Sequence, residues 1–141
     1  MKHKLPILIA FPFLSLLAAN PPGVVYWPKG TPPAAGPKTA KFENHALSVS
    51  HRDKSGAAEF HENQTDIFVV ESGEATIEVG GELVNPKTES PGELRGSSIR
   101  NGVKFHLSAG DVIHIPFKTP HQFFLAPGKQ ITYFVVKVNK P

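Results

Sequence analysis

The sequence contains no cysteine. That excludes a disulfide framework, thiolate metal ligands and a cysteine nucleophile. It also lacks a strong excess of either charge. Lys+Arg number 15 and Asp+Glu 12, a formal net charge of +3. Lys2 and Lys4 lie before residue 20, where there is no acid, so the rest of the chain carries 13 basic against 12 acidic side chains, or +1. A chain this close to neutral has no electrostatic footing for nucleic acid. No helical periodicity, internal repeat, nucleophilic triad or phosphate-binding glycine loop is present. Long apolar runs are also scarce. The single one, 5–17, has thirteen residues with Ser15 its only polar member. It falls short of the roughly 20 residues a membrane span needs.

What is present begins with that run. Lys2, His3 and Lys4 precede it and Ala18-Ala19 follow it. A positive start, a short apolar stretch and small residues form the pattern of a secretory signal peptide over 1–19. It predicts an exported protein, in the periplasm or the medium, with no stable membrane insertion after cleavage. Leu17 is a poor residue three before a cut after Ala19, which leaves the cleavage position open. An uncleaved anchor is the alternative, and Pro6 and Pro12 disfavour a firm spanning helix. Residues 20–40 are rich in proline and read as an extended arm. Val24, Val25, Tyr26 and Trp27 sit within it and are expected to pack on the outside of the domain, the alternative being contact with a second subunit.

From residue 41 to 141 the pattern is β throughout. Expected strands are 45–51, 57–61, 66–71, 74–79, 103–107, 111–116, 121–125 and 130–138, separated by glycine-containing turns. About eight short strands without a helical period predict an all-β sandwich or barrel, which can hold a small ligand at its mouth. The stretch 82–102 interrupts the meander and reads as a long loop. Its Glu93, Arg95 and Arg100 are read as ordinary surface charges, with presentation to a ligand as the alternative.

Potential ligands cluster at one place. Glu59 and His61 are spaced i, i+2 and share a face of their strand. Asp66 opens the next strand after a four-residue connection, and His121 opens a later one after a proline-bounded turn. Imidazole and carboxylate donors suit iron, manganese, nickel or zinc. Gln64 is a further oxygen donor, a possible accessory to the set. His114 is a second possible accessory but reads as structural, because Ile113 and Ile115 are the more natural inward residues. His45, His51 and His106 have no evident partner. Phe68, Phe123, Phe124, Tyr133 and Phe134 are expected in the core, one or two of them lining the pocket.

These stretches resemble the two motifs of the cupin superfamily, small jelly-roll barrels of double-stranded β-helix type. In the first, Glu59, His61, Asp66 and Gly73 fall at the positions of the first His, the second His, the Glu and the closing Gly. In the second, Gly110, Pro116 and His121 fall in register, while Lys118 replaces a turn glycine and Leu125 an asparagine. The resemblance covers roughly 41–138. It implies a cupin barrel with a divalent metal at its mouth, held by Glu59, His61, Asp66 and His121, and a homodimer. Two histidines and two carboxylates stand where the family usually has three histidines and a glutamate, a more anionic set. Lys118 is tolerable there only if its backbone avoids positive φ.

The function this implies is binding or transformation of a small polar molecule at the metal, by oxygenase, decarboxylase or isomerase chemistry, with Glu59 or Asp66 free to act as general base. A non-catalytic binding or sensing module is the alternative, and a structural subunit with a vestigial mouth the third reading.

Overall fold

The computed structural model describes residues 21–35 and 38–141. The expected signal peptide therefore lies outside the described residues. The strands are β1 (Thr39–Lys41), β2 (His45–Arg52), β3 (Ala58–His61), β4 (Gln64–Val79), β5 (Glu82–Val84) and β6 (Lys87–Ser90). They continue with β7 (Glu93–Gly96), β8 (Ser98–Arg100), β9 (Val103–Ser108), β10 (Val112–Ile115), β11 (His121–Phe124) and β12 (Ile131–Asn139). All eight expected strands appear, with two differences. The strands expected at 66–71 and 74–79 are one 16-residue strand, β4. The expected loop 82–102 carries four short strands, β5 to β8.

β4 organises the barrel. Its first half pairs with β12 and β10, and its second half with β11 and β9. β1 and β2 extend one side through β12, and β3, β7 and β6 extend the other through β11. Ten strands thus form one sheet folded back on itself, with β5 and β8 as a separate ribbon. The fold is all-β, a double-stranded β-helix.

The bend in β4 follows from its side-chain pattern. Asp66, Phe68 and Val70 are buried in the first half, Ala75 and Ile77 in the second. The inward set changes parity between Val70 and Ala75, so the strand must hold an extra residue. The register shift supplies it: Tyr133 pairs with Val70 and Thr132 with Ser72, skipping Glu71. Gly73 completes the turn with φ +78°, and a Cβ there would sit 2.0 Å from the Gln130 carbonyl oxygen.

Between the two layers lie Phe68, Val70, Ala75, Ile77, Leu107, Ile115, Phe123, Ile131, Tyr133 and Val135. Each large member contributes about 1.5–3 kcal/mol through burial. The aromatic set divides more than expected. Phe68, Phe123 and Tyr133 are buried, whereas Phe134 faces outward against Trp27 at 6.1 Å and Phe124 lies under Lys104. The arm docks on the outer sheet through Trp27, while Val24, Val25 and Tyr26 remain exposed. Among the described residues, no helix is long and apolar enough to cross a membrane.

The bend yields a prediction. Gly128 also has positive φ (+75°) but has open space at its Cβ position. Gly128→Ala should cost about 1 kcal/mol, for left-handed backbone alone. Gly73→Ala should cost about 2–3 kcal/mol more, for steric overlap. Urea denaturation measures both, and equal losses would show that the bend relaxes freely.

Candidate metal centre

Strand register assembles the site. β3 ends at His61, with Glu59 and His61 both turned towards the barrel mouth. β11 lies beside it with His121 directly opposite Glu59. β7 flanks β3 on its other side, pairing Glu59 with Arg95 and His61 with Glu93. The opposing layer contributes Asp66 from β4 and, opposite it in register, Lys137 from β12.

Ligand atoms of Glu59, His61 and His121 all lie within 4.8 Å of one another. Asp66 Oδ2 is 3.2 Å from Nε2 of His61 and 3.5 Å from Nε2 of His121. The four residues singled out in the sequence therefore converge. The other nitrogen of His61, Nδ1, is 2.5 Å from Glu93 Oε2. Arg52 donates to Glu59 Oε1 at 2.8 Å and to the Tyr133 hydroxyl at 2.8 Å. Beneath lies an aromatic floor: Phe68 stands edge-on to His121 at 5.9 Å and packs on Phe123 and Tyr133.

Lys137 enters this cluster directly. Its Nζ donates to Asp66 Oδ1 at 2.8 Å and lies 3.1 Å from His61 Nε2. Above, a mouth of about 540 Å³ is lined by Asn63, Gln64, Glu93, Arg95, Lys137 and Lys140, among others.

The electrostatics follow from burial and pairing. Burial pushes the His121 imidazole down to about 4, against the pull of Asp66 and Glu59. It is neutral at pH 7, with no buried partner for its Nδ1. Burial opposes charging of His61 as well, but its hydrogen bond to Asp66 and the charges of Asp66 and Glu93 lift it above the ordinary value despite Lys137. Burial would raise both carboxylates, yet both are held low. For Asp66 the hydrogen bond to His61 and the Lys137 ammonium do this. For Glu59, with His121 uncharged, the Arg95 and Arg52 guanidiniums do this.

Several expectations need correction. His114 is exposed on the outer face of β10, because Ile113 and Ile115 take the inward positions, so it is no accessory ligand. Gln64 does line the mouth, where its amide nitrogen, not its oxygen, is engaged, donating to Asn139 Oδ1 at 2.9 Å. The β3–β4 connection is two residues, Glu62 and Asn63, rather than four. Glu93 and Arg95 are not solvated loop charges: pairing of β7 with β3 turns them to the site. Arg100 does remain outside, beside Glu82. Lys118 adopts φ +62°, the conformation of the glycine it replaces, and its N–H donates to the His61 carbonyl at 2.7 Å. The remaining histidines have local partners: His45 stacks on Phe42, His51 meets Thr132 and His106 lies near Glu74. Sequence reasoning missed Lys137 and Arg52 as site groups. Alternation along Ile131, Tyr133, Val135 and Lys137 was a signal for Lys137.

No family model matches the chain, and no curated protein matches it. Solved structures do match its fold. One is a protein with a double-stranded β-helix domain from Klebsiella pneumoniae, 20% identical over 71% of each chain, TM-score 0.52. A second is hydroquinone 1,2-dioxygenase from Sphingomonas, 10% identical over 72% of this chain and 63% of that one, TM-score 0.53. A third is a DMSP lyase from Ruegeria pomeroyi, 15% identical over 70% of this chain and 40% of that one, TM-score 0.50. The likeness is one of fold, the double-stranded β-helix.

Two predictions follow from the geometry. Lys118→Gly should stabilise the protein by about 0.5–1 kcal/mol, because the relief of left-handed strain exceeds glycine's extra unfolded-state entropy. A loss on urea denaturation would contradict this. Asp66→Ala should cost about 3 kcal/mol in chelator-treated protein, since it strips Lys137 and His61 of a buried partner. A loss below about 1 kcal/mol would show that the pairing is dispensable.

Proposed function

We propose that the chain binds one divalent transition-metal ion through Glu59, His61 and His121, and holds a small polar molecule above it. The observation that carries this is the convergence of those donor atoms within 4.8 Å at the barrel mouth. The donor chemistry fits: His121 is neutral, and His61 is oriented by Glu93 through its far nitrogen, as metal-bound imidazoles usually are. Asp66 is a further oxygen donor, shared with Lys137. A bound ion would supply Lewis acidity and, if it were iron, a redox centre.

The chain's own groups would do the rest. Arg95 and Lys140 at the mouth attract and orient carboxylate or other polar groups of a ligand. Asn63 and Gln64 offer neutral hydrogen bonds there. Phe68, Phe123 and Tyr133 close the floor to water. Glu59 or Asp66 would serve as general base in turnover, with nearby cations holding both below the usual carboxylate range until one is released.

Turnover of the oxygenase, decarboxylase or isomerase kind is the enzymatic form of this proposal, supported by fold relatives that include a dioxygenase and a lyase. Binding without turnover is the second reading, supported by the cation pairing that holds Glu59 and Asp66 low. Export belongs to the same proposal, supported by the pattern of residues 1–19. So does a homodimer, for which the arm's exposed Val24, Val25 and Tyr26 give a surface.

Metal content tests the central claim. Protein purified without added metal or chelator, then incubated separately with iron, manganese, nickel and zinc, should retain near-stoichiometric metal by elemental analysis. The His61→Ala/His121→Ala double variant should not. A wild type that stays empty with all four ions would sink the proposal.

A further inference from the structure

Lys137 stands against two of the residues that converge at the proposed metal centre. Its ammonium donates to Asp66 Oδ1 at 2.8 Å and lies 3.1 Å from Nε2 of His61. His61 Nδ1 is engaged with Glu93 Oε2, so Nε2 is the nitrogen left for the site. An imidazole nitrogen has one in-plane lone pair. With Nδ1–H directed to Glu93, it can accept a hydrogen bond from Lys137 or coordinate an ion, but not both, and in neither case does it donate to Asp66.

The placement of Lys137 is built in by the fold. Ile131, Tyr133 and Val135 are buried on the inward face of β12, and Lys137 is the next residue in that row. Register sets it directly opposite Asp66. Its side chain is only 31% exposed, with its charge aimed into the cluster. Charge matching points the same way. Glu59, Asp66 and Glu93 face Arg52, Arg95 and Lys137, so the wall is close to neutral before any ion enters. A divalent ion added to this set meets an ammonium a few ångströms away, and like charges at that range in a partly buried site repel strongly.

We infer that Lys137 is a resident cation that competes with the metal for His61 and Asp66, holding the donors together in the metal-free protein and giving way when an ion binds. This rests on the metal-binding reading proposed above and adds a regulator to it. The displaced ammonium has somewhere to go, because Lys137 also lines the mouth of about 540 Å³ beside Arg95 and Lys140. There it would join them in facing an anionic ligand. Metal loading and exposure of the lysine are thus two sides of one exchange. Lys137 is a positioning residue and is assigned no bond-making step.

The test compares Zn2+ and Mn2+ affinity, with no other ligand, in wild type, Lys137→Met and Lys137→Gln, by competition against a metal-binding dye. Removing the competing charge should tighten binding by about tenfold or more, within the range usual for coupled sites. Lys137→Arg, which keeps the charge, should stay weak. A second measurement uses the wild type alone. Amine labelling read by peptide mass spectrometry should show Lys137 more reactive, relative to Lys129, with Zn2+ than with chelator.

The outcomes separate the two claims. Equal or weaker affinity in both neutral variants, with binding still abolished by His61→Ala/His121→Ala, would overturn the role of Lys137 and leave the metal site standing. Unchanged Lys137 labelling in metal-loaded wild type would do the same, even if the variants failed to fold. No metal uptake by wild type or by either neutral variant would overturn both.

Discussion

A buried negative charge governs this end of the barrel. Asp66 is 1% exposed, and a carboxylate taken that far from water persists only if its oxygens are paired. Lys137 satisfies one oxygen and the two imidazoles face the other. The apolar core ends at Phe68, and above it the two layers are joined by charge rather than by hydrophobic contact. This end of the molecule therefore owes its geometry to electrostatic matching, which is directional where apolar packing is not.

That matching crosses between layers. Asp66 and Lys137 belong to one layer, and Glu59, His61, Glu93, Arg95 and His121 to the other. Arg52 ties them a second time, reaching from β2 to Tyr133 on its own side and to Glu59 across the gap. The site thus exists only when the sheet closes on itself. The closure depends on the bulge at Glu71 and the bend at Gly73, where β4 passes from one layer to the other. A feature of backbone geometry five to seven residues past Asp66, itself carrying no ligand, sets the distance between the two halves of the site.

Much of this was legible in the residues. The alternation and turn signals give the strands, and the ligand pattern gives Glu59, His61, Asp66 and His121 as one cluster. Ile113 and Ile115 identify the outward position of His114. What escaped were features that depend on pairing. Nothing local in Glu93-Leu94-Arg95 marks it as a strand that faces a site; only its register with β3 turns Glu93 to His61 and Arg95 to Glu59. Lys118 resisted prediction differently. Propensity disfavours a lysine at φ +62°, but its N–H bond to the His61 carbonyl helps to fix the turn. Ser72-Gly73 gave a true turn signal that tertiary pairing converted into a bend inside one strand.

The charge state of the site narrows what it can do. A general base works best with a pKa near the working pH. Glu59 and Asp66 are both displaced the wrong way, and His121 is pushed down to about 4. His61 moves upward, but it is tied to Glu93 on one nitrogen and faces Asp66 and Lys137 on the other. The same features favour holding a cation: low-pKa carboxylates stay ionised and a neutral imidazole keeps its lone pair. On the proposed reading, chemistry at this centre would draw on polarisation by an ion and on placement of the ligand by Arg95 and Lys140.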